Sequence, residues 1–147
     1  MTKEILHQFE SATKEFCSYA RAISPNKVNT SPKEGEWSHA YVIHHMADSD
    51  AHFAVRFLNI LSVDSPAIIP FDEEIFPTAL HYPGRSVEVS IAAIENSCAH
   101  MVDILKQIAP ADWNRTAIHA ERGKLTLSEI LQLTTNHRVG HLDQLKQ

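Results

Sequence analysis

The amino-acid sequence predicts an all-α fold, a four-helix bundle, and three observations carry that expectation. Apolar residues recur at helical spacing in four long stretches. All seven prolines fall between those stretches and none within them. No sustained alternation of apolar and polar residues suggests a sheet, so four amphipathic helices must bury their faces on one another.

The first helix spans about residues 2 to 23, with Ile5, Phe9, Phe16, Ala20 and Ile23 at helical spacing. Ser24-Pro25-Asn26 ends it, and the polar stretch to Glu36, with Pro32, reads as a loop. The second helix runs from about 38 to 61 with Ser38 as its N-cap. Residues 62 to 85 contain Pro66, Pro70, Pro77, Pro83 and Gly84 and read as a long irregular proline-rich loop. Loops of that length in compact domains tend to carry function. Ser86 caps a third helix, about 87 to 108, which carries Val87, Ile91, Ile94, Met101, Ile104 and Leu105. Ala109-Pro110-Ala111-Asp112-Trp113 breaks it. Two short extended pieces on either side of Gly123 then suggest a small hairpin. Thr126 and Glu129 form a capping box that opens a fourth helix, ending near Leu145.

One domain covering residues 1–147 is the expectation for this length, since no repeat, low-complexity tract or linker divides the chain. A net charge of −5 argues against non-specific nucleic-acid binding, which needs a basic surface. Cys17 and Cys98 belong to no CxxC pair, which fits a reducing, cytoplasmic setting. No apolar region follows the polar start Met1-Thr2-Lys3-Glu4. No apolar run approaches the roughly 18 residues of a membrane span.

Ten histidines are the one compositional excess, and their placement is informative. His137 and His141 lie one helical turn apart, which puts two imidazoles on one face. On the second helix, at about 100° per residue, Ser49, His52 and Arg56 all fall within about 40° of His45. That polar stripe borders the apolar face marked by Val42, Phe53 and Ile60. His137 and His141 likewise share an arc with Leu127, Ile130 and Leu145. Three inward imidazoles in an apolar bundle need polar partners, and one shared cation would serve all three. The plainer alternative is a set of core histidines bonded to carbonyls. Asp48, three residues beyond His45, is placed to orient that imidazole or to be solvated. His44 points about 100° away from His45 and reads as a surface residue, with a supporting place behind the ligand histidines as the alternative. Cys17 and Cys98 lack an electropositive neighbour and read as ordinary helical residues.

Taken in order, these residues resemble the DinB/YfiT-like metalloprotein superfamily, in particular its YfiT branch. The resemblance rests on Trp37-Ser38, the run from His44 to Ser49, Arg56-Phe57, the run from Pro66 to Glu73, and the closing His137, His141, Leu142 and Gln144. It covers the chain from about residue 3 onward. It implies an up-down-down-up bundle, a divalent metal (Zn or Ni) held by His45, His137 and His141, and frequent homodimers. The chain departs from the branch in two ways. It starts almost at the first helix, before which members of the branch carry an extra segment, and it has Asp50 and His52 where relatives tend to have His then Asn.

Two enzymatic readings follow from such a centre. A low-molecular-weight thiol could be transferred, as its thiolate, to an electrophilic small-molecule substrate, the leading expectation. Alternatively, water activated by the metal could hydrolyse a small ester or amide. A non-catalytic metal-binding dimeric module is the third reading. Arg56 is placed either to hold an anionic group or to form a structural salt bridge. Asp72 and Glu73 in the proline-rich loop either accept protons at the pocket mouth or stabilise the loop.

Overall fold

The computed structural model describes residues 2–147. Among the described residues there are six α-helices: α1 (Thr2–Ala22), α2 (Pro25–Val28), α3 (His39–Ser62), α4 (Phe76–Ala79), α5 (Val87–Leu105) and α6 (Leu127–Leu145). The four long ones, α1, α3, α5 and α6, are the four expected from periodicity, and the caps sit where the sequence places them. The Ser38 hydroxyl accepts from Tyr41 N at 3.2 Å, and the Ser86 hydroxyl accepts from Val89 N at 3.3 Å. Thr126 and Glu129 form the reciprocal capping box.

Chain direction follows from which ends meet. Phe9 of α1 clusters with Leu127 and Leu131 of α6, and Phe16 and Ala20 cluster with Leu142 and Leu145, so α1 and α6 are parallel. Ile43 and Met46 of α3 pack with Ile91 and Ile94, while Phe57 and Ile60 pack with Met101 and Leu105, so α3 and α5 are parallel. Arg21 at the end of α1 reaches Glu88 and Glu95 near the start of α5, so these two run in opposite directions. The result is the up-down-down-up order. Each of α1 and α3 packs on both α5 and α6.

Two apolar clusters fill the bundle, one towards each end. Polar residues lie between them. Arg138 of α6 is almost wholly buried and donates to Asp50 of α3 and to Thr13 of α1, with Phe9 stacked 4.8 Å from its guanidinium carbon. Burial pushes the Asp50 carboxyl up and the adjacent Arg138 charge holds it down. Asp50 had read as a departure from the branch pattern; Arg138 is its partner.

The connections are more ordered than the sequence suggests. The proline-rich segment contains α4 and two single 3₁₀ turns, Glu73–Ile75 and Tyr82–Gly84. Its start is pinned to the predicted hairpin, β1 (Thr116–His119) paired antiparallel with β2 (Gly123–Thr126). Ile68 N donates to Ile118 O and Ile118 N donates to Pro66 O, both at 2.9 Å, which adds a short parallel edge to β1. Gly123 has φ +72°, a left-handed conformation that glycine adopts without a Cβ penalty, and it closes the turn. No helix among the described residues is long and apolar enough to cross a membrane.

Candidate metal centre

The antiparallel approach of α3 and α6 brings His45 against His137 and His141. The three Nε2 atoms form a near-equilateral triangle, with His45 to His137 at 3.3 Å, His45 to His141 at 3.0 Å and His137 to His141 at 3.1 Å. Three neutral imidazoles cannot satisfy one another in that arrangement, because each N–H···N bond needs one protonated and one bare nitrogen. Burial, then the neighbouring imidazoles, pushes His45 and His137 down to about 3, so both rings are neutral at physiological pH. His141 is shifted down by burial as well.

The tautomers are also arranged. His141 Nδ1 lies 2.8 Å from Gln144 Oε1, an acceptor, so the ring proton sits on Nδ1 and Nε2 offers its lone pair to the triangle. The Ser49 hydroxyl lies beside the His45 ring, 3.5 Å from Nδ1. His137 Nδ1 is buried without a partner. Trp37 packs 5.2 Å from His45 and Phe53 packs edge-on 5.4 Å from His137, ring centroid to ring centroid. A transition-metal ion bound tetrahedrally through nitrogen at about 2.0–2.1 Å separates its ligand atoms by about 3.3 Å. The triangle therefore fits such an ion, and His45, His137 and His141 are the only group of three or more potential ligands so clustered among the described residues.

Glu73 supplies the nearest carboxylate, with Oε2 3.7 Å from His45 Nε2. The 3₁₀ turn it opens is capped by Asp72, whose Oδ1 accepts from Glu74 N at 3.0 Å. Of the two loop acids, Glu73 faces the histidines and Asp72 serves the backbone. Glu73 and His137 share the lining of a cavity of about 250 Å³ with Phe53, Arg56, Pro70 and Phe71.

Two other expectations need correction. Asp48 does not orient His45; it forms a two-pronged ion pair with Arg85, at 2.7 and 3.0 Å, which ties α3 to the end of the proline-rich segment. His44 is not on the surface. It is buried, its Nδ1 lies 2.8 Å from Ser90 Oγ, and its ring packs against Tyr82. Burial and the nearby Arg85 charge push it down to about 4. The 100° step that carries His44 away from His45 turns it towards α5, since α3 is covered on both sides.

His52 is not part of the histidine triangle; its ring stacks on Phe71 at 4.3 Å. Among the described residues Arg56 has no salt-bridge partner. Its Nη2 donates to Ile69 O at 3.3 Å. Cys17 and Cys98 are buried free thiols, Cys17 pushed up to about 12 by its surroundings, burial foremost. Gln144, Arg85 and Ser90 had no role assigned from sequence. Gln144 could have been found, because it lies three residues beyond His141 on the same helix face.

Comparison with known proteins agrees with this architecture. A protein of Oceanobacillus iheyensis named "putative metal-dependent hydrolase" is 28% identical over 120 residues, 82% of this chain and 69% of its own length. YfiT from Bacillus subtilis, described as "a probable metal-dependent hydrolase with an unusual four-helix bundle topology", superimposes with a TM-score of 0.89 at 20% identity, covering 99% of this chain and 83% of YfiT. A mycothiol-dependent maleylpyruvate isomerase superimposes with a TM-score of 0.80 at 14% identity, and this chain spans 60% of it. The sequence profile of the DinB superfamily matches residues 8–145, almost the whole chain, so this protein belongs to the DinB superfamily and has the bundle of YfiT.

Proposed function

We propose that this protein is a metal-dependent hydrolase of small esters or amides. His45, His137 and His141 hold a divalent ion, Zn or Ni, and Glu73 is the general base. The position of Glu73, with a carboxylate oxygen 3.7 Å from His45 Nε2, carries this reading. A divalent ion at the triangle would supply Lewis acidity, lowering the pKa of a nucleophile and stabilising charge on a carbonyl oxygen. Glu73 accepts the proton of the attacking water and returns it to the leaving group. Gln144 holds His141 in the tautomer that leaves Nε2 free. Phe53, Ile68, Pro70 and Phe71 give the cavity apolar walls that strengthen charge interactions inside it.

Thiol transfer, the leading expectation from sequence, becomes the second reading. It is favoured by the bundle shared with the mycothiol-dependent isomerase. A thiol loses its proton readily beside a divalent ion, so that reaction has little need of a base. Glu73 therefore weighs towards water as the nucleophile.

The test combines elemental analysis with turnover. About one Zn or Ni per chain, lost in a His137→Ala/His141→Ala double variant, with hydrolysis of 4-nitrophenyl acetate in the absence of thiol, supports the hydrolase. Turnover of electrophiles only when cysteine or glutathione is added selects thiol transfer. Metal binding with neither activity selects the non-catalytic module.

A further inference from the structure

Arg56 stands apart from the other buried or half-buried arginines. Arg85, Arg115 and Arg138 each meet a carboxylate, as does the exposed Arg21. Among the described residues none lies within ion-pair distance of Arg56. Its guanidinium carbon is 5.2 Å from the ring centres of both Phe53 and Phe71. Among the described residues its only hydrogen bond is the long one to Ile69 O, and its Nε is buried with no acceptor. Burial is what shifts its pKa, downward, with no neighbouring carboxylate acting to raise it. A guanidinium held between two aromatic faces is fixed in place, and its unmatched fork of donors suits a planar two-oxygen acceptor.

The setting adds to this. Arg56, Phe53, Ile68, His119 and His137 line both the cavity that contains Glu73 and an adjoining one of about 260 Å³, which also takes in Arg122. His119 Nδ1 accepts from the backbone N–H groups of Glu121 and Arg122, which leaves its other ring nitrogen as a donor. Glu121, on the hairpin turn, is the one carboxylate besides Glu73 in that lining.

We propose that Arg56 is a specificity-determining residue that receives the carboxylate of a small anionic substrate, whose reacting carbonyl then lies towards His137 and Glu73. The assignment of a reacting carbonyl rests on the hydrolase reading; the carboxylate subsite does not. The cleft thereby selects acids or half-esters over neutral esters.

Binding and turnover test the two parts separately. On chelator-treated protein, where no metal can hold the ligand, calorimetric titration with succinate is compared with the neutral succinamide. Succinate is expected to bind at least tenfold more tightly than succinamide. Arg56→Gln is expected to remove that preference at an unchanged circular dichroism spectrum. Arg56→Lys, which keeps the charge but not the fork, is expected to restore only part of it. Equal binding of the two ligands, no succinate binding, or an Arg56→Gln variant that binds succinate like the parent would overturn the proposal. On the metal-loaded protein, mono-4-nitrophenyl succinate is compared with 4-nitrophenyl butyrate. If neither is hydrolysed while the succinate preference and its loss in Arg56→Gln persist, the hydrolase reading fails and the carboxylate subsite stands. If both esters are hydrolysed equally by parent and variant, the subsite fails and the hydrolase stands.

Discussion

Glu73 Oε2 lies 3.7 Å from Nε2 of His45, although one sits on a 3₁₀ turn in the proline-rich segment and the other is wholly buried in α3. The contact exists because the segment is anchored at both ends. Ile68 bonds to Ile118 of the hairpin, and Arg85 grips Asp48 of α3. Because the loop is pinned independently of that contact, the carboxylate proposed as general base can be removed without disturbing the three histidines it faces.

Glu73→Gln is accordingly expected to lower ester hydrolysis by about 10²–10⁴-fold while metal content and thermal stability stay close to those of the parent. Steady-state kinetics and elemental analysis on the same preparation check this. Loss of metal together with activity would instead make Glu73 a ligand.

The Arg138–Asp50 pair sets the rotation of α6 against α3 one residue from His137. Both partners are nearly inaccessible, at 1% and 4% of their side-chain surface. Arg138→Met is expected to cost about 3–5 kcal/mol, because the Asp50 carboxyl is left buried in the core without its partner. An Asp50→Leu/Arg138→Met double variant is expected to recover most of that loss, since an apolar pair avoids the desolvation of both ions. Denaturant unfolding of the parent, both single variants and the double variant measures the coupling. Losses that simply add would refute it.

Buried neutral histidines make the metal-free fold acid-sensitive. Burial, the largest cause in each case, pushes His44 down to about 4 and His45 and His137 to about 3. An unfolded histidine titrates near 6.5. Between those values the unfolded chain binds more protons than the folded one, so stability falls as pH drops from about 6.5 towards 4. Chelator-treated protein should therefore melt at a lower temperature at pH 5 than at pH 7. Equal melting temperatures would mean that these rings are not buried and neutral.

What the sequence by itself determined is local. Four helices, three of their N-caps, the small hairpin, and the shared face of His137 and His141 all follow from periodicity and from side chains within four residues of one another. Even the inward direction of His45 is legible, because its stripe borders apolar residues of the same helix. Tertiary structure alone decided the partners. That Asp48 pairs with Arg85 rather than His45, that Asp50 pairs with Arg138, that His44 is sealed beneath α5, and that Glu73 rather than Asp72 faces the histidines are relations between residues far apart in the chain. A helical wheel gives a direction on one helix but not what stands there. The neighbour is set by how α5, α6 and the proline-rich segment pack on α3, and side-chain contacts across that packing leave no periodic trace in any one segment.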